Sequence, residues 1–261
     1  MAAIGGVVEV DLVIEIPLPP NCCGFHNKRP KIRNMTKFPF DIIGFDLDGT
    51  LLDTSGDLTA ATNHALGLAG RPALSQDKVK TLIGGGAKLM LQHGLEESGG
   101  VTEGEFKPLY RALLSYYEAR VSVHSVPFPG AVALLDQLDV MGVKYGVVTN
   151  KFESLARKVL SDLGLADRMG CIIGADTLGK ENAKPSGAPI LEMIRLCGGG
   201  PNASKRTAYV GDSIYDIMAA TNAGVPSIAV SFGFLHGPVE ELGADIVIDH
   251  FDELIGALQT L

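Results

Sequence analysis

The chain has 261 residues and a mass of 27.5 kDa, with 46% hydrophobic and 20% charged residues. This balance excludes wholesale disorder and collagen-like repeats, and the length suits one large domain or a core with an insert. A net charge of −8 and a pI near 5.2 argue against a nucleic-acid or anionic-membrane surface, since either needs clustered Lys and Arg. Every apolar stretch is interrupted well before the ~20 residues that a membrane-spanning helix needs. We expect a globular protein with no nucleic-acid partner and no membrane segment.

Residues 1–37 differ in composition from the rest of the chain. Apolar residues at alternate positions from Val8 to Ile16 would suit a strand, and Pro-rich and basic residues follow up to Met35. Acidic residues interrupt the apolar run, so the segment is not typical of a secretory signal. We expect a poorly ordered N-terminal extension, or a true start at Met35, in preference to an edge strand.

The four cysteines, Cys22, Cys23, Cys171 and Cys197, lack the CxxC spacing of a metal site. This usage is typical of a reducing compartment, so we expect a cytoplasmic protein. Cys171 and Cys197 are predicted to be ordinary thiols of the core.

From residue 38 onward, short β-branched apolar runs alternate with segments of helical periodicity. A strand followed by a helix, repeated, predicts an α/β fold: a Rossmann-like three-layer α/β/α core around a parallel sheet. The predicted strands are 41–46, 143–149, 171–175, 207–212, 226–231 and 246–249.

The gap between the first two predicted strands is far longer than a usual crossover. Its periodicity predicts helices over 58–68, 76–83, 87–97 and 105–117. Pro129 and Gly130 discourage helix and mark the return to the sheet. We therefore predict a core domain of residues 38–53 and 127–261 and an inserted helical cap domain of residues 54–126.

Polar residues collect where the predicted strands end, which is where a doubly wound sheet binds ligands. Each of them alone is an ordinary turn or N-cap residue. Packing carboxylates together gives no stability, however, so their convergence at one edge predicts a functional site. These residues are Asp46 and Asp48, Thr149 and Asn150, Lys184, and Asp212 with Asp216.

The paired carboxylates suit phosphoryl transfer. Asp46 is the candidate nucleophile, because an aspartyl-phosphate divides a difficult hydrolysis into two easier steps. Asp48 lies two positions further on, so both side chains can face one pocket. We predict that Asp48 is the general acid and base, provided that neighbouring negative charge and burial keep it protonated at the start.

The remaining polar residues suit a metal ion and a phosphate. Asp46 and Asp212 supply the hard oxygen ligands that Mg²⁺ prefers. Lys184 and Thr149 are predicted to stabilise the phosphate oxygens. Asp216 is predicted to orient the residues that contact the metal and the phosphate without contacting either itself.

These motifs, in order and spacing, resemble those of the haloacid dehalogenase superfamily of phosphatases. The resemblance lies in residues 45–50, 149–151, 184–185 and 211–213 with Asp216, and it runs from about residue 40 to the end. The helical insert and the Thr-Asn-Lys triplet are similar to the phosphoglycolate phosphatase branch. One departure is that a second Pro follows Lys184 only at position 189, which leaves the path of that loop open.

The resemblance implies a role for each matching residue. Asp46 would be the nucleophile and Asp48 the acid/base, while dehalogenases of the superfamily lack an Asp at the Asp48 position. Mg²⁺ would be held by Asp46, Asp212 and Asp48, the last through its main-chain carbonyl. The phosphate would be bound by Thr149, Asn150 and Lys184. The partner implied is a small phosphorylated metabolite, most plausibly 2-phosphoglycolate, acted on by a monomer or homodimer.

Two alternatives stay open at this point. A sugar phosphomutase uses the same core and returns the phosphoryl group to a bound sugar instead of water. A phospho-accepting receiver domain also carries Asp, Thr or Ser and Lys at strand ends, although the long insert and Asp48 speak against it. Release of inorganic phosphate from a panel of phosphomonoesters separates all three.

The insert is expected to select the leaving group, since the core residues account for phosphate and metal. An acidic protein needs a placed cation for a substrate carboxylate. Lys88 is our candidate and Arg120 the alternative. The preceding 84–86 glycines lack the Lys-Ser/Thr ending of a nucleotide loop and are predicted to be a loop or hinge. Two further sets of residues in the insert are given no role in the site. The histidines are predicted to be structural or solvated, and these are His64, His93 and His124. The tyrosines are predicted to lie in the helix core or on an amphipathic surface, and these are Tyr110, Tyr116 and Tyr117.

Overall fold

Six parallel strands form the central sheet of this computed structural model, in which residues 38–261 are described and form one compact unit. The predictions for residues 1–37 lie outside the described residues. In chain order the strands are β1 (Ile42–Phe45), β2 (Leu52–Asp53), β3 (Val126–Pro127), β4 (Lys144–Val148), β5 (Ile172–Ile173), β6 (Thr207–Gly211), β7 (Ser227–Val230) and β8 (Ile246–Ile248). The predicted α/β fold is confirmed.

Nine α-helices connect or follow the strands within residues 38–261. They are α1 (Ser55–Leu68), α2 (Gln76–Lys80), α3 (Ala87–Glu96), α4 (Glu103–Glu118), α5 (Ala131–Met141), α6 (Glu153–Asp162), α7 (Ala188–Leu196), α8 (Ile214–Ala223) and α9 (Leu254–Leu258). Single 3₁₀ turns lie at Ala166–Arg168, Lys180–Asn182, Ala203–Arg206, Val239–Leu242 and Phe251–Glu253. None of these helices has the length and hydropathy needed to cross a membrane.

The strand order β5-β4-β1-β6-β7-β8 makes β1 the meeting point of two halves of the sheet. Phe45, the last residue of β1, pairs with Val147 of β4 on one side and Val210 of β6 on the other. All three strands run in parallel, so the segments that follow them emerge side by side. Crevices of this kind, where the strand order reverses, are where open α/β sheets bind ligands.

The observed strands fall within the predicted ones, but they are shorter. The largest difference is at β5, where the predicted 171–175 reduces to Ile172–Ile173. There the amide of Gly174 donates to the hydroxyl of Thr177 at 2.9 Å instead of to a strand, because the chain already turns. The β2–β3 ribbon was not predicted, since two-residue strands carry too few side chains to show a period.

Four helices, α1 to α4, lie between β2 and β3 and form what we call the helical insert. The antiparallel pairing of Leu52 with Pro127 and Asp53 with Val126 brings its two ends together. The carboxylate of Asp57 in α1 also accepts hydrogen bonds from the amides of His124 and Ser125 at 2.9–3.0 Å. The predicted 76–83 helix ends earlier, at Lys80. The division of residues 38–261 into core and cap domains stays a prediction.

Cys171 and Cys197 are free thiols that pack against an apolar cluster of the core, in line with the prediction, although both are only partly buried. Cys171 precedes β5 at the edge of the sheet, and Cys197 follows α7. An edge strand is covered on one side only, which leaves these thiols nearer to solvent than a central strand would.

Candidate active site

The ends of β1, β4 and β6 bring together Asp46, Thr149 and Asp212, all buried. The amide of Asp46 donates to the carbonyl of Val210 at 2.9 Å and so continues the sheet by one residue. A pocket of about 210 Å³ opens above this edge. Its lining includes Asp46, Asp48, Thr149, Asn150 and Lys151 from the sheet side and Lys88, Met90, Tyr110 and Tyr117 from the insert.

Lys184 is buried beneath the pocket and joins two carboxylates. Its ammonium donates to Asp46 Oδ1 at 2.7 Å and to Asp216 Oδ1 at 2.6 Å, and it lies 3.3 Å from the hydroxyl of Tyr209. That hydroxyl donates to the carbonyl of Val148 at 2.7 Å. Burial disfavours the ammonium, but Asp216 and Asp46 outweigh it and raise the pKa of Lys184 well above its ordinary value. Lys184 is therefore a fixed positive charge.

Asp216 is fully buried in the first turn of α8 and acts on its neighbours. Its Oδ2 accepts from the amide of Ser213 at 3.0 Å and from the Ser213 hydroxyl at 2.5 Å, which caps the helix. Its Oδ1 accepts from Lys184. Both oxygens thus hold other groups in place, and the orienting role of Asp216 in the reaction stays a prediction.

Asp46, Asp212 and Asp216 form a cluster in which one carboxylate oxygen from each lies within 4.8 Å of the others. Burial, the charge of Asp216 and, less strongly, that of Asp48 raise the pKa of Asp46 to about 7 against the opposing effect of Lys184. Burial, Asp216 and Asp46 likewise raise the pKa of Asp212 well above its usual range. The ammonium of Lys184 bonds only Asp46 and Asp216 and cannot balance three carboxylates, so this set of oxygen ligands fits a hard divalent cation.

Asp212 is held by groups that the sequence did not single out. Its Oδ1 accepts from the Thr50 hydroxyl at 3.2 Å, and its Oδ2 from the Phe234 amide at 2.6 Å. Gly49 has a φ of +90°, and a Cβ there would lie 2.1 Å from Asp212 Oδ2. Only glycine therefore lets the chain turn after Asp48 while Asp212 stays close.

Asp48 lies on the pocket wall, and its carboxylate is not part of the cluster of Asp46, Asp212 and Asp216. Its Oδ1 accepts from the Thr54 hydroxyl at 2.6 Å and from the buried ammonium of Lys151. Burial disfavours the charge on Lys151, but Asp48 outweighs it and raises the pKa of this lysine. Asp48 therefore has the negative charge of Asp46 near it, as expected, and also the positive charge of Lys151, which was not expected; its acid/base role stays a prediction.

Thr149 and Asn150 differ in what they contact. The Thr149 hydroxyl accepts from the Lys151 amide at 3.1 Å. Asn150 donates from Nδ2 to the carbonyl of Gly84 at 3.1 Å and to that of Lys184 at 3.3 Å, so it ties the 84–86 loop of the insert to the sheet. Its Oδ1 is buried and has no hydrogen-bond partner among residues 38–261. A phosphate-binding role for Asn150 stays a prediction.

Two cations of the insert were candidates for substrate recognition. Lys88, at the start of α3, is exposed and lines the pocket. Arg120 stacks over the ring of Tyr116 at 4.4 Å and is not part of the lining. The 84–86 glycines form a loop at the pocket, as predicted. His64 stacks on Tyr116 at 4.5 Å, consistent with a structural role.

Three further residues contact the candidate site although no sequence pattern gave them a role there: Lys151, Tyr209 and Tyr117. Lys151 is the last residue of the Thr-Asn-Lys triplet, and a basic residue two positions after the predicted strand 143–149 was a signal from which its pairing with Asp48 could have been predicted. Tyr209 lies within β6, and the apolar pattern of that strand does not show that its hydroxyl lies beside Lys184. Tyr117 lies in an amphipathic helix, where helical spacing alone does not show what its hydroxyl faces.

Comparison with known proteins gives one consistent family. A model for the haloacid dehalogenase-like hydrolases matches residues 43–230. A phosphoglycolate phosphatase of Caulobacter vibrioides is 39% identical over 84% of this chain and 91% of its own length. An N-acetylmuramic acid 6-phosphate phosphatase of Pseudomonas aeruginosa is 31% identical over 86% and 97%. The crystal structure of a predicted phosphoglycolate phosphatase from Haemophilus somnus 129pt superposes with a TM-score of 0.77 at 30% identity, covering 84% of this chain and 98% of that one.

Proposed function

The chain belongs to the haloacid dehalogenase-like hydrolase family, and from that we propose that it is a Mg²⁺-dependent phosphatase that hydrolyses 2-phosphoglycolate through an aspartyl-phosphate. The family match supports a phosphoric monoester hydrolase. The observation that carries the chemistry is the position of Asp46: its carboxylate lines the pocket, and Lys184 holds it at 2.7 Å. A carboxylate fixed in this way is oriented for attack rather than free to rotate.

The proposed reaction has two steps. In the first, a carboxylate oxygen of Asp46 attacks phosphorus, the bond from phosphorus to the ester oxygen breaks, and Asp48 gives a proton to the departing alkoxide. In the second, Asp48 takes a proton from water, whose oxygen attacks phosphorus and releases inorganic phosphate and free Asp46. The Asp48 carboxylate is held in place for both steps by the Thr54 hydroxyl and the Lys151 ammonium.

The Asp46, Asp212 and Asp216 cluster supports the metal requirement. Asp46 and Asp212 would hold the ion, with the Asp48 carbonyl as a further ligand. Bound Mg²⁺ supplies positive charge that lets an anionic nucleophile approach an anionic phosphate. Lys184 adds charge below the same oxygens, and Thr149 lies at the neighbouring strand end.

The substrate is proposed from the pocket and the relatives. A space of about 210 Å³ suits a metabolite of a few heavy atoms better than a bulky sugar. The Caulobacter vibrioides relative is named a phosphoglycolate phosphatase, and this chain covers 91% of it. Because 2-phosphoglycolate carries a carboxylate, recognition needs a cation outside the phosphate site, and Lys88 on the insert side of the pocket is the candidate.

The test is steady release of inorganic phosphate from a panel containing 2-phosphoglycolate, N-acetylmuramic acid 6-phosphate and hexose phosphates. We expect the highest kcat/KM on 2-phosphoglycolate, loss of activity with a strong chelator and recovery with Mg²⁺. Asp46→Asn should be inactive, while Asp48→Asn should lose roughly 10²- to 10⁴-fold in rate. A phosphomutase would instead interconvert sugar phosphate isomers, and a receiver domain would release almost no phosphate.

A further inference from the structure

The Tyr117 hydroxyl is buried at the pocket without an acceptor for its proton. Tyr117 is only 2% exposed, the polar group beside its hydroxyl is the ammonium of Lys151, which can only donate, and no acceptor for the hydroxyl lies among residues 38–261. Buried hydroxyl groups whose proton lacks an acceptor are rare, because they lose a bond to water and gain nothing in return. Tyr117 is one of the residues that line the pocket, so a ligand can supply the missing acceptor.

The backbone and the neighbours of Tyr117 fix where this hydroxyl stands. Tyr110 and Tyr117 are seven positions apart in α4, which puts both on one face of the helix, and both line the pocket. The ammonium of Lys151 lies 4.9 Å from the centroid of the Tyr117 ring and also bonds Asp48. Tyr117 of the insert therefore lies over the Lys151–Asp48 pair of the core.

This position corresponds to the leaving-group side of the substrate. In the proposed reaction the phosphorus lies at Asp46 and the ester oxygen at Asp48, so the carbon chain of the leaving group extends past Asp48 toward the insert. The Tyr117 hydroxyl is a donor there: burial raises its pKa to about 12 although Lys151 opposes this, and the proton is retained at neutral pH. An oxygen carried by the leaving group would satisfy it.

We propose that Tyr117 is a specificity-determining residue whose hydroxyl donates a hydrogen bond to an oxygen on the substrate's leaving group. The inference rests on the proposed function and refines it: the preferred substrates are phosphomonoesters of hydroxy acids or polyols rather than of plain alcohols. It differs from the role of Lys88, which selects negative charge, because a hydroxyl donor binds charged and neutral oxygens alike.

Three two-carbon phosphomonoesters separate these roles: 2-phosphoglycolate, 2-hydroxyethyl phosphate and ethyl phosphate. Tyr117→Phe removes only the hydroxyl, and it should lower kcat/KM about tenfold on the first two substrates and less than about twofold on ethyl phosphate. Lys88→Ala should lower it on 2-phosphoglycolate alone. Tyr116→Phe makes the same change one position earlier in α4, where the ring stacks on His64 outside the pocket lining, and should change none of the three.

A structural role for the hydroxyl predicts a different set of results. If its bonding partner is a ligand, Tyr117→Phe should keep or raise the Tm of the substrate-free protein. A lower Tm, equal losses on all three substrates, or no loss on any of them would overturn the assignment. Wild-type protein that is inactive on all three would instead overturn the proposed function and this inference with it.

Discussion

Lys151 and Asp48 form a buried ion pair across the ends of two adjacent strands, with side chains 5% and 12% exposed. Each is fixed by its own segment: Lys151 follows β4, and Asp48 follows β1. The pair therefore ties the proposed acid/base residue to the end of β4, the strand that neighbours β1. Lys184 holds Asp46 in the same way, at 2.7 Å.

Replacing Lys151 alone should lower the free energy of unfolding more than replacing Lys151 and Asp48 together. Lys151→Met leaves the Asp48 carboxylate buried without its partner, and breaking such a pair costs about 3 kcal/mol. In the double variant Lys151→Met/Asp48→Asn no uncompensated charge remains, so most of that loss should be recovered. Urea unfolding of the four proteins in this cycle measures the coupling directly.

The control is another lysine in an ion pair of the same chain. Lys158 pairs with Asp162 on α6, but both side chains are more than a third exposed. Lys158→Met should change the free energy of unfolding by less than about 1 kcal/mol. If Lys151→Met is no more destabilising than Lys158→Met, then Asp48 does not depend on Lys151.

Most of the candidate site could be predicted because its residues follow directly after strands. A polar residue directly after a buried parallel strand lies at the carboxyl edge of the sheet. Asp46, Thr149 and Asp212 were therefore located from the apolar runs before them. Lys184 was also selected as a cation beyond the third predicted strand, but its contacts with Asp46 and Asp216 were not predicted, since it lies in a loop well beyond β5 whose path no local pattern sets.

The helices of the insert could be predicted from the sequence, but which of their residues line the pocket could not. Helical spacing placed Tyr117 on α4, yet which face of α4 meets Lys151 depends on how the insert lies over the sheet. Such packing joins residues far apart in sequence, as when Asn150 binds the carbonyl of Gly84 at 3.1 Å. The same holds for Asp48, whose positive neighbour comes from a different strand end.

The cluster of Asp46, Asp212 and Asp216 should make the free energy of unfolding depend on pH. Burial and the nearby charge of Asp216 raise the pKa of Asp46 to about 7, whereas in the unfolded chain it returns to 3.8. Between these two values the folded state holds a proton that the unfolded state has lost, so this group lowers the free energy of unfolding as pH rises from about 4 to about 7. Asp46→Asn removes the effect, and the difference in unfolding free energy between wild type and this variant isolates it.

Addition of Mg²⁺ should reverse that trend. The ion competes with protons for the same carboxylates, so its stabilising effect should grow as pH rises through about 7. The measurement is the shift in Tm caused by saturating Mg²⁺ at about pH 5 and about pH 8, with Asp212→Asn as the variant of reduced affinity. A shift that is equal at both pH values, or unchanged in Asp212→Asn, would show that the cluster is not the metal site.

Lys88 provides the last prediction, which concerns charge on the substrate. A charge-assisted contact contributes roughly 1.5 to 3 kcal/mol, so Lys88→Ala should lower kcat/KM on 2-phosphoglycolate about tenfold or more. 2-Hydroxyethyl phosphate lacks the carboxylate and should be affected much less. Lys180→Ala is the matched control, because Lys180 is also an exposed lysine of the pocket lining. Arg120→Ala should have little effect, since Arg120 packs on Tyr116. If Lys180→Ala or Arg120→Ala carries the selective loss instead, the carboxylate is bound by that residue and not by Lys88.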